Sequence, residues 1–236
     1  MTDFTLSLPV HRLKRRARDR ARASGRKLAP VLDEIAREEG FRAWSHLAAS
    51  LPRPGAALFD RLVPGDLVLL GARPGQGKTL LGLELAATAA ARGLRGEVLT
   101  LEYHAGEVAA RLRDLGFDPR GLGPGFAVDA SDGICADHVM ARMQGAPRGS
   151  VAVIDYLQLL DQKRSHPPLD DQVRQLRAGA ARAGLIIVAL SQIDRAFDLS
   201  GRAHPGPQDI RMPNPMDPEL FTRCVFIGDG VLRMAG

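Results

Sequence analysis

From residue 65 onward the chain repeats one alternation, and no other feature narrows its folds as far. Apolar runs of strand length ("DLVLLG", "GEVLTLE", "GFAVDA", "SVAVIDY", "LIIVALSQ") take turns with segments of helical pattern ("TLLGLELAATAAARG", "GEVAARLRDLG", "ICADHVMARMQG", "DDQVRQLRAGAARAG"). The apolar runs do not alternate with polar residues, so both faces of the strands are predicted to be covered. Covered strands separated by helices define an α/β fold with a mostly parallel central sheet flanked by helices. The closing "CVFIGDGVLRMAG" places Gly228-Asp229-Gly230 between two β-rich runs and predicts a hairpin.

Residues 11 to 50 follow a different rule. In "HRLKRRARDRARASG" Leu13, Ala17 and Ala21 recur every fourth residue, a thin apolar stripe on a basic helix closed by Gly25. "RKLAPVLDEIAREEG" sets Leu28, Val31, Leu32, Ile35 and Ala36 on one helical face, with Gly40 as its stop. "FRAWSHLAAS" predicts a short third helix with Phe41, Trp44 and Leu47 inward, and "LPRPGAALF" reads as a Pro/Gly linker. The expected organisation is a basic helical N-terminal module over residues 1–52 and an α/β domain over 53–236.

With 236 residues the chain is long enough to bury roughly 70% of its extended surface, so a core needs no staples. Cys135 and Cys224 lie near no second Cys or His at metal-ligand spacing and read as small buried residues in a reducing compartment. No apolar run approaches the ~18 residues of a membrane span. "MTDFTLSLPV" lacks the basic flank of a secretory leader. The expectation is a cytoplasmic protein with no membrane partner.

"LVLLGARPGQGKTLLGLEL" joins a buried strand to a helix through a glycine-rich turn. It fits the phosphate-loop pattern G-x-x-x-x-G-K-[ST] except at the first position. Ala72 stands there, followed by Arg73, Pro74, Gly75, Gln76, Gly77, Lys78, Thr79 and Leu80. Gly75 and Gly77 let the backbone aim N–H groups at an anion, and a helix starting near Thr79 turns its positive end the same way. Lys78 would reach the β- and γ-phosphates of a nucleotide, and Thr79 would ligate Mg²⁺.

A phosphate loop alone does not say hydrolysis; three strand ends narrow the choice. Asp155 ends "VAVID" and can hold Mg²⁺ through water, or serve as a turn residue. Glu102 follows "VLTL", where a carboxylate could orient the attacking water, or simply stand exposed at a strand end. Gln192 ends "LIIVALSQ", where its amide could sense a γ-phosphate and pass that to the loop beyond.

Together "GARPGQGKT", "LTLEY", "VIDYLQLL" and "VALSQIDR" resemble the RecA-like ATPase domain of DnaB-type replicative helicases over roughly residues 56 to 230. That family typically has Ala at the first phosphate-loop position, so Ala72 belongs to its pattern. The resemblance implies a RecA-like P-loop fold binding ATP and Mg²⁺. Carried over by position, Lys78 and Thr79 bind nucleotide and Mg²⁺, Asp155 is the metal-binding carboxylate, Glu102 the catalytic carboxylate and Gln192 the γ-phosphate sensor. Loops after Asp155 and Gln192 match places where such folds meet single-stranded DNA. Lys163, Arg164, Arg195, Arg202 and Arg211 there could touch phosphates or remain solvated.

The chain also departs from the family. Only about 55 residues precede the ATPase-like part, with no likeness to the family's N-terminal helical domain. No Lys-x-Arg finger follows Cys224, Arg233 being the only basic residue there. A finger reaching a neighbour's ATP can be worth ~10³ to 10⁵ in rate, so coupled ring hydrolysis is not expected. Position 194 is Asp where the family has Asn.

The net charge of +5 is uneven: from His11 to Lys27 nine Arg or Lys face Asp19 alone, leaving the remainder net acidic. Arg12, Lys14, Arg15, Arg16, Arg18, Arg20 and Arg22 could form a nucleic-acid arm, or a solvated face packed on the second helix. Eight contacts to a single strand would lower log K by roughly 6 per decade of salt. Without interleaved aromatics, backbone contact is expected over base reading. Two readings follow: a Mg²⁺-dependent ATPase, helicase-like or remodelling DNA, and a KaiC- or RadA-like module in which ATP switches a conformation or a homo-oligomer with little turnover. A small-molecule kinase would need a lid rich in Arg, and the 161–169 loop offers only Arg164.

Overall fold

The computed structural model describes residues 10–50, 53–163, 165–202, 204–211, 216–228 and 231–235. The described chain forms two compact units. One holds residues 10–50 with Asp114–Gly116, the other 53–113 and 117 onward.

The first unit is three helices, α1 (Val10–Ser24), α2 (Leu28–Glu38) and α3 (Trp44–Ser50). The four-residue repeat of α1 buries Leu13, Ala17 and Ala21 against Val31, Ile35 and Ala36 of α2, with Phe41, Trp44 and Leu47 completing the core. Because the α1 seam is mostly alanine, its backbone can approach α2 closely. Asp33 Oδ1 accepts the Trp44 N–H at 2.8 Å and so ties the start of α3 to α2. Leu28 is a correction: it is 39% exposed. It is the first residue of α2, so no preceding turn of its own helix covers it.

The second unit carries α4 (Pro54–Phe59), β1 (Leu67–Ala72), α5 (Lys78–Ala91), β2 (Gly96–Thr100), α6 (Ala105–Asp114), β3 (Phe126–Asp129), α7 (Ala136–Arg142), β4 (Val151–Asp155), α8 (Leu169–Ala183), β5 (Ile186–Gln192), α9 (Ala196–Leu199), β6 (Arg223–Gly228) and β7 (Val231–Ala235). One seven-stranded sheet runs in the order β3-β2-β4-β5-β1-β6-β7. All neighbours are parallel except β6 and β7, which are antiparallel and pair Gly228 with Val231. The hairpin expected there is present as strand pairing; its turn residues Asp229 and Gly230 lie outside the described residues.

β1, β2 and β4 are buried throughout, as their unbroken apolar runs require. β3 departs from that expectation. It is half-buried along its length because it is the sheet's edge. The Pro/Gly linker is a second correction. Pro54 opens α4, a position where its missing N–H costs nothing, and α4 packs on α5. Gly55 is needed at that contact: a Cβ there would lie 2.7 Å from the side chain of Glu84 on α5.

Burial also collects charges the pattern did not signal. Glu97 in β2 is wholly buried; Arg95 Nη2 reaches it at 3.0 Å and Arg142 Nε at 2.8 Å. Burial holds the Glu84 carboxyl above its ordinary range, against the opposing pull of the Gly55 N–H and Arg53. Cys135 is half-buried and Cys224 buried, both as free thiols, and burial pushes the Cys224 thiol up. Among the described residues no helix is long and apolar enough to cross a membrane.

Candidate nucleotide site

Parallel strands end at one edge of the sheet, and the singled-out residues collect there. Ala72 ends β1 and pairs with Gln192, the last residue of β5. Asp155 ends β4 and pairs with Thr100, the last residue of β2. A crevice beyond the carboxyl ends of parallel strands is where open α/β sheets take ligands.

Between β1 and α5 the chain turns through Arg73–Gly77. Gly75 has φ +79° and Gly77 φ +88°. Both values lie in the left-handed region, where an L side chain is strained. Pro74, Gly75 and Gln76 are exposed, and the Gln76 N–H closes the turn on the Arg73 carbonyl at 3.2 Å. α5 begins at Lys78, one residue before the expected start. The first N–H groups of a helix have no intrahelical acceptor, so those of α5 face the mouth of this loop as anion donors. Thr79 and Leu80 are half-buried in its first turn.

Lys78 and Asp155 meet inside this mouth. Lys78 Nζ lies 3.4 Å from Asp155 Oδ1, with side-chain exposures of 10% and 1%. Asp155 Oδ2 is buried without a hydrogen-bond partner among the described residues, as are Ser191 Oγ and Gln158 Oε1. Buried oxygens left unpaired are costly. A carboxylate oxygen free in this position suits a hard cation, which takes oxygen ligands. The residues present therefore fit a Mg²⁺–nucleotide, with Asp155 Oδ2 the oxygen left free for the cation.

Glu102 stands apart from this buried pair. β2 stops at Thr100, and Glu102 follows in a bend, exposed, its N–H donating to Thr100 Oγ1 at 3.0 Å. The Arg111 guanidinium lies 3.8 Å from the ring centre of the adjoining Tyr103. Gln192 is half-buried; its carbonyl accepts the Arg211 N–H at 2.7 Å, and the next N–H, of Ile193, donates to the Ala72 carbonyl at 3.0 Å.

The side chain of Arg73 does not follow the phosphate-loop expectation. Its guanidinium turns away to the Asp194 carbonyl, at 3.2 Å, and to the Asp198 carboxylate. A loop motif specifies backbone conformation at this position, not where a long side chain goes. Asp198 and Gln158 were missed for the same reason. Gln158 Nε2 donates to the Arg211 carbonyl at 2.8 Å, and its only sequence signal was membership of "VIDYLQLL".

The loop cations divide. Lys163 pairs with Asp132 at 3.1 Å, and Arg202 pairs with Asp209 and lies 5.4 Å from the Phe197 ring centre. Arg195 and Arg211 are exposed, and Arg164 lies outside the described residues. On α1, Arg16 and Arg20 both grip Glu38, Arg20 at 2.6 Å. Lys14 lies 5.9 Å from the Trp44 ring centre, and burial lowers its pKa. Arg12, Arg15, Arg18 and Arg22 remain exposed, at intervals of three, three and four residues along the side of α1 opposite Leu13, Ala17 and Ala21. They form a cationic stripe broken by Asp19 beside Arg15.

The fold is that of the RecA-like ATPase domains of the DnaB type. No family model matches the chain, nor does any curated protein. Solved structures do. The ATPase domain of G40P is 20% identical, covers 75% of each chain and has a TM-score of 0.55. A DnaB-like replicative helicase, solved with its interactions with primase, is 17% identical with a TM-score of 0.59. That match covers 92% of this chain and 65% of the helicase, so the chain spans just under two thirds of that relative's length. A KaiC-like protein, PH0186 from Pyrococcus horikoshii OT3, is 16% identical over 75% of this chain and 81% of its own, with a TM-score of 0.51.

Proposed function

We propose that the chain is a Mg²⁺-dependent ATPase of the RecA/DnaB-like class that works on DNA, remodelling it or moving along it. The observation that carries this reading is the buried Lys78–Asp155 pair at the mouth of a left-handed glycine turn, with Asp155 Oδ2 left unpartnered. The α5 N-terminus and the backbone of residues 75–79 would cradle the phosphates. Lys78 would exchange Asp155 for the β- and γ-phosphate oxygens. Thr79 and Asp155 would hold Mg²⁺, which when bound neutralises charge developing on the phosphate oxygens. Glu102 would orient the attacking water and accept its proton, a role worth about 10² to 10⁴ in rate. Gln192 would report the γ-phosphate to residues 194–211. The likeness to a DnaB-like replicative helicase supports DNA as the partner.

A second reading has its own observation. Glu102 is exposed beyond the strand end. That favours a nucleotide-gated assembly module with slow turnover, as the likeness to a KaiC-like protein allows. The deciding experiment is steady-state ATP turnover with Mg²⁺, with and without single-stranded DNA, beside Glu102→Gln. The ATPase reading expects DNA-stimulated turnover that falls at least about a hundredfold in the variant while nucleotide binding persists. Tight ATP binding with negligible turnover, coupled to a change in oligomeric state, would replace it with the second reading. Equal loss of binding in the variant would remove Glu102 from its role.

A further inference from the structure

The segment 194–211 is fixed unequally at its two ends. Its far end is built onto the C-terminal end of β5. The Asp194 N–H donates to the Asp209 carbonyl at 2.7 Å, the Arg211 N–H to the Gln192 carbonyl at 2.7 Å, and Ile193 bridges Ile210. Asp209 is 7% exposed; its carboxylate accepts the Gly206 N–H at 2.8 Å and pairs with Arg202. The near limb, α9 and its flanks, relies on local turns, such as Ala196 N–H to Asp194 Oδ1 at 2.8 Å, and on a partly buried Phe197. The longest reach to this limb in sequence comes from the phosphate loop, through Arg73.

We infer that Arg73 is a positioning residue: its guanidinium fastens the limb 194–200 to the root of the phosphate loop through the Asp198 carboxylate and the Asp194 carbonyl. The two contacts diverge from one rigid fork, so they fix direction as well as distance. The fastening is light. Arg73 and Asp198 keep 27% and 50% of their side-chain surface in contact with solvent, and such ion pairs are individually weak and screened by salt. It therefore sets the resting place of the limb without welding it there. Its consequence for catalysis rests on the ATPase reading above. A ligand held by the exposed Arg195 side of the limb would act on the phosphate loop through this contact, in addition to the route through Gln192.

The test separates the contact from the activity. Tryptic cleavage after Arg195 and Arg202 is followed by mass spectrometry in the wild type, Asp198→Ala and the exchange pair Arg73→Asp/Asp198→Arg. Asp198→Ala should speed cleavage about fivefold, the upper range for a solvent-touched ion pair. Raised salt should bring the wild type toward that rate, and the exchange pair should return most of the protection. Unchanged cleavage in Asp198→Ala, or no recovery in the exchange pair, would overturn the inference whatever the chain's activity. In turnover assays Asp198→Ala should keep the basal rate and the KM for ATP while losing most of the stimulation by single-stranded DNA. Stimulation undiminished in Asp198→Ala would overturn the coupling. A wild type that turns over no ATP but shows the cleavage pattern would refute the ATPase reading and leave the fastening standing.

Discussion

Lys78→Ala is the substitution that most directly tests nucleotide binding, and the structure predicts that it also destabilises the fold. Removing the ammonium leaves the Asp155 carboxylate, 1% exposed, with one oxygen already unpartnered and the other newly so. Breaking a buried pair from one side costs about 3–5 kcal/mol. The 3.4 Å separation is long for a charge-assisted contact, which argues for the lower end, about 3 kcal/mol. Against a total of roughly 5–15 kcal/mol that is a large fraction, and it corresponds to a fall in Tm of ~10 °C for a chain of this size. Removing both charges at once, as Lys78→Met/Asp155→Asn, should restore stability to within about 1 kcal/mol of wild type, because the stranded charge is gone. The assay is urea unfolding followed by far-UV circular dichroism. Fluorescence would mislead, since Trp44 is the single tryptophan and belongs to the helical unit. If the two single losses simply add in the double variant, or Lys78→Ala unfolds with wild-type stability, the pair is not coupled and the site reasoning fails.

Two further outcomes are expected. The raised folded-state pKa of Glu84 means the folded chain holds a proton there that the unfolded chain has released. Stability should therefore fall as pH rises from the unfolded pKa toward the folded one. Glu84→Gln should gain on wild type across that window and match it at lower pH, as read from urea midpoints against pH. For the α1 stripe, only Arg12, Arg15, Arg18 and Arg22 are exposed and turned from the core, so contact with single-stranded DNA should show a log–log salt slope of about −3, not the −6 of the whole segment. Anisotropy of a labelled oligonucleotide between 50 and 200 mM salt measures it; a slope of about −4 would mean Arg16 and Arg20 leave Glu38 to bind.

The strands were legible because β1, β4 and β5 are buried on both faces and so had to be written as unbroken apolar runs ending in Ala72, Asp155 and Gln192. The phosphate loop was legible because its glycines answer a backbone demand. What escaped depends on partners distant in sequence. Pro54–Gly55 has linker composition, and only Glu84 thirty residues on explains why a helix needs glycine there. Glu97 looked like an ordinary strand residue until Arg95 and Arg142 closed over it. The seven cations of α1 were indistinguishable in sequence. Glu38 and Trp44 sort them into internal and external sets.

Ala72 and Gln192 occupy one rung of the β1–β5 ladder, joined by the hydrogen bond from Ile193 to Ala72. A parallel ladder flanked on both sides by further strands has little slack along its rungs. It is a chassis: the root of the phosphate loop and the root of the segment 194–211 are held at one separation by the ladder itself. On the ATPase reading, the travel available to a bound phosphate's signal would therefore be set by side-chain length, Arg73 on one mounting and Gln192 on the other, and not by any sliding of the strands.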